Sequence, residues 1–347
     1  MKLKILTMVV SSVVYLGVAC NSDNSQDITP DQPFAVPANF PKPVYDFAKN
    51  PITQSGFELG RELFYEGDLS RDGTISCAEC HSQASGFTHH GHDVSHGIDN
   101  LRGIRNAPPI QNMAFQKEFF WDGGVFDLDL FSIAPIGNPV EMDEKLGNVL
   151  EKLRKKEKYA TLFQKAYGSK EITTERFLKA LSQFMNSLVS ANSRYDKYIR
   201  KEVGGTLTEE ELAGMEIFKQ KCASCHSGEL FTDQSYRNNG LAVYNIEDTG
   251  RARITQNEKD NYKFKVPSLR NVAITGPYMH DGRFYTLEAV LRHYNESVLD
   301  VPTLDPSLKN GQKLGIQITA DEQKKLIAFL KTLTDNEFLT NKRFAAP

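Results

Sequence analysis

Two short cysteine motifs carry the chemistry of this 347-residue chain. Residues 77–81 read C-A-E-C-H and residues 222–226 read C-A-S-C-H, and we name them the first and the second haem motif. The C-x-x-C-H spacing is the attachment signature of c-type haem, in which both thiols bond to the porphyrin and the histidine ligates the iron. The sequence therefore predicts two covalent haems, attached through Cys77, Cys80 and His81 and through Cys222, Cys225 and His226.

Paired cysteines also have two other uses, which stay open at this point. Two C-x-x-C pairs can form a single Cys₄ zinc site, and one pair can cycle between dithiol and disulfide. Neither use explains why a histidine directly follows both pairs. We favour the haem interpretation because it accounts for every residue of the motif.

The fifth cysteine, Cys20, ends an apolar N-terminal segment. Two lysines precede an apolar run over residues 5–19, which is too short to cross a bilayer and is typical of a signal peptide. Residues 16–20, L-G-V-A-C, resemble a bacterial lipobox, although the leucine stands four rather than three positions before the cysteine. We expect residues 1–20 to be a lipoprotein signal peptide, with Cys20 lipidated and the protein exported to the periplasm. The alternative is an ordinary signal peptide and a soluble product.

A formal charge of −3 and a pI near 6.3 give no excess of positive charge with which to bind nucleic acid.

Amino-acid composition and a pair of helix-breaking glycines indicate how the chain divides into segments and domains. Residues 21–45, rich in Asn, Ser, Asp, Gln and Pro, are predicted to form a flexible tether. The Gly204–Gly205 pair predicts a boundary between an N-terminal haem domain, residues 46–203, and a C-terminal haem domain, residues 204–347.

Apolar periodicity predicts a mainly α fold with few strands. Capping boxes at Thr208-x-x-Glu211 and Thr319-x-x-Glu322 mark two helix starts. The pattern G-x-x-[LI]-F precedes both haem motifs, at residues 60–64 and 214–218, which indicates two modules of similar build. Further helices are expected over residues 57–64, 146–167, 174–189 and 286–294.

Longer motifs extend from residue 105 to residue 282. They are R-N-A-P at 105–108, F-W-D-G-G at 120–124, N-P-V-E-M at 138–142, V-P-S-L-R-N-V at 266–272 and P-Y-M-H-D-G at 277–282. Together they resemble the bacterial di-haem cytochrome c peroxidase and MauG family, over about residues 50–335. The resemblance implies two cytochrome c-like domains with the haems near their interface, and reduction of peroxide at the N-terminal haem.

The resemblance also implies roles for three residues. Trp121 matches a tryptophan that passes electrons between the two haems, although a lone tryptophan is by default a core residue. Glu141 matches a distal glutamate at the peroxide-binding haem, where a carboxyl can take a proton and return it to the leaving oxygen. Without its motif Glu141 would be taken for a solvated surface acid. Pro135 matches a distal-pocket proline of the MauG branch.

Metal ligands are implied in the same way. Asn106, Thr275 and Pro277 match a calcium site between the domains, where side-chain and backbone oxygens suit a hard cation. At the first haem, the family position for a distal histidine falls near Ile98, so His96 could ligate iron only after a small shift of its loop.

The distal ligand of the second haem separates the subtypes. Simple spacing nominates Met279, 53 residues after His226, whereas alignment on Thr275 and Pro277 nominates Tyr294, with neighbours such as His293 as a further alternative. An anionic tyrosine oxygen stabilises ferric and higher iron states, whereas a methionine thioether stabilises ferrous iron.

Three functions remain open on these residues. The first is a peroxidase that draws electrons from a small periplasmic cytochrome or cupredoxin, and the second is MauG-like oxidation of a partner protein. The third, a non-catalytic di-haem electron carrier, leaves Glu141 and Pro135 without a role.

Overall fold

The computed structural model describes residues 34–89, 91–244 and 246–347. Cys20 and the predicted signal peptide lie outside these residues. The described chain is mainly helical, as predicted, and none of its helices is long and apolar enough to span a membrane. The helices are α1 Gln54–Phe64, α2 Cys77–Cys80, α3 Ile133–Gly137, α4 Leu146–Arg154, α5 Glu157–Tyr167, α6 Thr174–Ser187, α7 Arg194–Ile199, α8 Glu209–Lys221, α9 Ala252–Thr255, α10 Leu287–Arg292, α11 Ala320–Lys331 and α12 Asn336–Thr340.

The strands are short and do not organise the fold. β1 Tyr236–Arg237 pairs antiparallel with β2 Phe264–Lys265, and β3 Lys309–Asn310 pairs antiparallel with β4 Lys313–Leu314. The long connections between helices contain single 3₁₀ turns, so irregular backbone surrounds both haem motifs.

A pair of helices that pack closely together at a glycine precedes each haem motif in the sequence. Helix α1 packs on α6 so closely that a Cβ at Gly60 would lie 2.0 Å from the Ala180 carbonyl oxygen. Helix α8 packs on α11 in the same way, with 1.9 Å between a Cβ at Gly214 and the Lys325 carbonyl oxygen. Only a residue without a side chain permits this approach. The repeated G-x-x-[LI]-F sequence therefore marks the same helix crossing in both halves.

Both predicted capping boxes are present. Thr208 and Glu211 exchange hydrogen bonds at the start of α8, and Thr319 and Glu322 do so at the start of α11. The helix predicted over residues 286–294 begins at Leu287, becomes a π turn over residues 293–297, and so places residue 294 in irregular helical geometry.

The single helix predicted over residues 146–167 is two helices, α4 and α5. The chain becomes extended at Lys156, where φ is −103° and ψ is 111°. The Lys156 ammonium lies 3.0 Å from a Glu66 carboxylate oxygen and 2.7 Å from an Asp68 one. These ion pairs hold the break beside the loop that leads to the first haem motif, and α5 turns Tyr159 into the core.

The structure has two large hydrophobic cores, which correspond largely to the two halves of the sequence. C-terminal residues also contribute to the first core. The first core spans residues 57–188 and includes Phe338 and Phe344, whereas the second spans residues 195–333. The boundary at residues 204–205 stays a prediction. Residues 34–45, assigned above to the tether, pack on the body because Phe40 meets Phe115 edge-on, with 5.2 Å between the ring centroids.

A fully buried ion pair ties α7 to the second half. Arg270 donates two hydrogen bonds of 2.8 Å to the Asp196 carboxylate and a third, of 2.7 Å, to the Glu229 carbonyl. Burial acts to raise the pKa of Asp196, but the hydrogen bonds and charge of Arg270 outweigh it and hold that pKa below its ordinary value. The Phe40 ring lies against the guanidinium, with 4.3 Å from the ring centroid to Cζ.

Candidate active site

The first haem motif lies on one turn of helix. Both thiols belong to α2, and His81 follows as its C-cap. The His81 Nδ1 atom lies 2.9 Å from the Phe87 carbonyl oxygen. Because a carbonyl only accepts, Nδ1 carries the proton and Nε2 presents the lone pair that a metal needs. Burial lowers the pKa of His81 to about 4, so the imidazole is neutral.

The second haem motif repeats this device at the end of α8. Cys222 is the C-cap of that helix. The His226 Nδ1 atom donates to two carbonyl oxygens, those of Phe231 and Pro267, each at 3.1 Å. Burial also lowers the pKa of His226. Both motifs therefore offer a neutral imidazole nitrogen beside two free thiols, the donor set that covalent haem requires.

The zinc and disulfide alternatives receive no support. Across the described parts of the chain, no group of three or more His, Cys, Asp or Glu side chains is placed to hold a metal ion, so the two pairs do not form a Cys₄ site. The four motif cysteines are not joined in disulfides.

Glu141 lies beside the first haem motif. Its carbonyl accepts a 2.8 Å hydrogen bond from the Ile98 N–H, and the next residue, Met142, donates to the Pro135 carbonyl at 3.3 Å. Burial raises the pKa of Glu141, partly opposed by a hydrogen bond from Asn138. Burial likewise raises the pKa of the Cys80 thiol to about 11, and the nearby Glu141 carboxylate adds to that rise. A half-buried carboxyl near the motif can hold and release a proton.

His96 lies on the same side. Its carbonyl oxygen is 3.7 Å from the Cys80 Sγ atom, and its Nδ1 is 3.1 Å from the Asn100 side-chain oxygen. The ring packs on His92, which in turn stacks on His89, with ring centroids 4.7 and 4.8 Å apart. Its role as an iron ligand stays a prediction.

Trp121 lies where the two halves of the sequence meet. Its indole N–H donates to the Asn106 carbonyl at 2.8 Å, and its own carbonyl accepts from the Lys265 N–H at 2.8 Å. Trp121 also lines a cleft with Pro267, whose carbonyl accepts from the imidazole of the second motif. The tryptophan is therefore in contact with both halves.

Asn106 reaches the loop that carries the other predicted calcium ligands. Its N–H donates to the His280 carbonyl at 2.7 Å, three residues after Pro277. Its side-chain amide nitrogen donates to the Asp93 carbonyl at 3.0 Å, so the side-chain oxygen is the atom that the predicted calcium site would use. An amide oxygen beside a loop rich in carbonyls is a donor set that suits calcium.

Both nominated ligands of the second haem converge on Asn239. The Asn239 amide nitrogen is 3.5 Å from the Met279 sulfur and 3.4 Å from the Tyr294 hydroxyl oxygen. The His293 Nε2 atom pairs with the Asn239 carbonyl at 3.0 Å. Burial raises the pKa of Tyr294, the hydrogen bond from Asn239 lowers it, and the thiols of the second motif raise it further. The phenol therefore lies close to that motif.

Sequence reasoning missed Asn239 and Lys265. Asn239 belongs to an N-N-G run that is typical of a turn, and its contacts lie 40 and 55 residues away along the chain. Lys265 stands directly before a family motif, and only its spacing from that motif could have singled it out.

Comparison with known proteins gives one consistent result. The sequence profile of the di-haem cytochrome c peroxidase family matches residues 54–204. The methylamine utilization protein MauG of Methylorubrum extorquens is 34% identical over 94% of this chain and 92% of its own length. The cytochrome c551 peroxidase of Nitrosomonas europaea is 34% identical over 81% of this chain and 80% of its own. The crystal structure of a MauG-like protein associated with microbial copper homeostasis aligns with a TM-score of 0.81 and 33% identity, covering 91% of this chain and 99% of that one.

Proposed function

This chain belongs to the di-haem cytochrome c peroxidase family, and from that premise we propose that it reduces hydrogen peroxide at its N-terminal haem with electrons relayed through its C-terminal haem. It is an enzyme of that family, whose two haems correspond to the two C-x-x-C-H motifs. A bound haem iron supplies the centre at which peroxide is coordinated and its O–O bond is cleaved. The reaction consumes two electrons and two protons and yields two waters.

The observation that carries this proposal is the placement of Glu141. Its backbone is clamped between residue 98 and the Pro135 loop, so its carboxyl stays beside the first haem motif. Because burial raises its pKa, this carboxyl can accept a proton from one peroxide oxygen and deliver it to the other, which leaves as water. We assign Glu141 as the acid–base residue and Pro135 as a wall of the same pocket. His96 is assigned as a ligand only in a resting state in which its loop has shifted.

A second candidate function, oxidation of a partner protein, is favoured by Tyr294. Its phenol lies close to the thiols of the second motif, and if it ligated the haem iron its anionic oxygen would stabilise highly oxidised iron. We therefore favour Tyr294 over Met279 as the ligand. Electrons would pass through Trp121, which contacts both halves of the chain. They would come from a small periplasmic donor or from side chains of a protein substrate.

Further parts of the proposal concern assembly and place. We assign one calcium ion to Asn106, Thr275 and Pro277, and the two haem domains to residues 46–203 and 204–347. We propose that the protein is exported to the periplasm and anchored in a membrane through a lipid on Cys20.

Peroxide consumption with a reduced small electron donor tests the function. The wild type should bind two covalent haems and consume peroxide. Cys77→Ala should retain the second haem and lose the activity, because the first haem is the site of peroxide binding. A wild type that holds two haems but consumes no peroxide would instead be the non-catalytic carrier.

A further inference from the structure

A stretch of the first half recurs in the second half with a constant spacing of 159 residues. Residues 112 and 271 are both left-handed asparagines that start a 3₁₀ turn, with φ of 56° and 60°. Their N–H groups donate to equivalent carbonyls, those of Leu188 and Leu333. Isolated β-bridges join residues 119 and 125 in one stretch and residues 278 and 284 in the other. The backbones of residues 106–125 and 265–284 are therefore built alike.

The two stretches hold each other across the interface by an exchanged pair of hydrogen bonds. The Asn106 N–H donates to the His280 carbonyl at 2.7 Å, and the Lys265 N–H donates to the Trp121 carbonyl at 2.8 Å. Residues 106 and 265 are equivalent at the spacing of 159, and so are residues 121 and 280. The contact has the reciprocal form of a two-fold interface, although it lies within one chain.

Because the two stretches are equivalent, each residue of the proposed calcium site has a counterpart in the other half of the chain. The counterparts of Asn106, Thr275 and Pro277 at the same spacing are Lys265, Gln116 and Glu118. In the structure the Lys265 ammonium donates to the Gln116 side-chain oxygen at 2.8 Å and to the Glu118 carbonyl at 2.7 Å. A cationic group of the protein itself therefore lies among oxygens at the counterpart of the calcium position.

Charge and burial fit a fixed cation. Burial lowers the pKa of Lys265 to about 8, while Glu118 and Asp122 act to raise it, so the amine is largely protonated at neutral pH. The Glu118 carboxylate already accepts a 3.3 Å hydrogen bond from Arg251 and another from the Tyr236 hydroxyl. Lys265 is thus held by neutral oxygens, as a metal ion bound by amide and carbonyl oxygens would be.

We propose that Lys265 is a built-in counterpart of the calcium ion. It is a positioning residue whose ammonium holds the loop that precedes Trp121. The proposal rests on the proposed function in taking Asn106, Thr275 and Pro277 as a calcium site and Trp121 as an electron relay. The ammonium fixes residues 116–118, and the N–H of the same lysine fixes the Trp121 carbonyl. One side of the interface is thereby held by hydrogen bonds from a cation that belongs to the chain, and the other depends on a diffusible ion.

Replacing the lysine by a calcium-binding side chain, and the reverse replacement, tests this proposal in the di-haem holoprotein. Lys265→Met removes the charge but keeps most of the stem, and it should lower the midpoint of thermal unfolding at every calcium concentration. Lys265→Asn installs the side chain of the Asn106 site. It should bind one more calcium per chain than the wild type, measured by elemental analysis after dialysis, and calcium should restore its midpoint. Lys263→Met, which removes only a half-exposed ion pair with Asp260, is the matched control and should match the wild type.

The reciprocal change is Asn106→Lys, which should bind one calcium fewer than the wild type and become insensitive to chelator. The proposal is overturned if Lys265→Asn binds no additional calcium or does not fold in its presence. It is also overturned if Lys265→Met unfolds at the wild-type midpoint. Calcium counts do not depend on peroxide, so an added calcium in a protein that consumes no peroxide would sustain this inference while refuting the proposed function.

Discussion

At the scale of single residues, both haem motifs use one device to prepare an imidazole. A backbone carbonyl five or six positions downstream accepts from Nδ1, which fixes the tautomer and turns Nε2 outward. Glu141 and Tyr294 then supply the two groups whose chemistry differs between the halves. One is an acid near the first motif and the other is a phenol near the second.

Removal of the acid is the first prediction. Glu141→Gln keeps the size of the side chain but cannot cycle a proton, so we expect the rate of reaction with peroxide to fall by roughly 10²–10⁴-fold with both haems retained. Stopped-flow absorbance of the haems measures this rate. Asp143→Asn, which alters a neighbouring carboxylate paired with Arg71, should react like the wild type. Unchanged kinetics in Glu141→Gln would remove this residue from the mechanism.

The second prediction concerns the ligand of the second haem. Tyr294→Phe should change the absorption spectrum of that haem and raise its reduction potential, because an anionic oxygen that favours ferric iron is lost. Met279→Leu should leave both quantities near their wild-type values. Potentiometric titration followed by absorbance distinguishes the two variants. The opposite pattern would identify Met279 as the ligand.

Residue chemistry was predictable from the sequence only where it is local. Two thiols and a histidine within five positions are recognisable as a haem motif from the sequence. The role of Asn239, by contrast, depends on its contacts with side chains 40 and 55 residues away. Lys265 is similar, since its partners Gln116 and Glu118 belong to the other half of the sequence. Contacts of this kind depend on tertiary packing, which no local pattern encodes.

At the scale of elements, helix pairs that cross at a glycine support each haem motif. Amphipathic periodicity and capping boxes predicted most of these helices, because both signals are local. The break between α4 and α5 was not predicted. It depends on ion pairs between Lys156 and a distant loop, and the two lysines between the helices are both good helix formers.

The third prediction tests the crossings. Gly60→Ala and Gly214→Ala each place a methyl group about 2 Å from a carbonyl oxygen, and we expect each to lower the free energy of unfolding by about 1–3 kcal/mol or more. Gly147→Ala, in the exposed part of α4 with no atom within 4 Å of the added Cβ, should instead stabilise the protein by roughly 0.4–1 kcal/mol. Urea unfolding of the holoproteins measures all three. A neutral effect at both crossings would show that the helices can separate without cost.

At the scale of the whole molecule, the halves are joined by polar contacts as well as by apolar ones. The Arg270–Asp196 pair, the exchanged hydrogen bonds and the Lys265 ammonium all lie in or beside the region where the halves meet. The sequence predicted two similar modules but not this joint. Chain order also does not reveal that Phe338 and Phe344 return to the first core.

The fourth prediction uses the buried ion pair. Asp196→Asn leaves the Arg270 charge without its partner, and we expect a loss of about 3–5 kcal/mol in the free energy of unfolding at neutral pH. Because the folded pKa of Asp196 is lowered, its contribution is complete above the unfolded value of about 3.9 and disappears as pH falls through the folded value. The difference in the free energy of unfolding between wild type and variant, measured by urea unfolding, should therefore decrease only at acidic pH.

The control for this pair is Asp300→Asn, which removes an exposed pair with Lys309 and should change stability by about 0–1 kcal/mol. A gap between wild type and Asp196→Asn that stays constant down to the lowest pH tested would contradict the depressed pKa.

The reaction of the fully ferric, as-isolated protein with one equivalent of hydrogen peroxide tests the central claim most directly. Peroxide activation beside Glu141, with a tyrosine-ligated second haem and Trp121 as the relay, predicts an immediate change in the absorption of both haems without prior reduction. Two equivalents of a one-electron donor should then restore the starting spectrum. A ferric protein that stays inert until one electron is supplied would contradict this account and identify a methionine-ligated, electron-storing peroxidase.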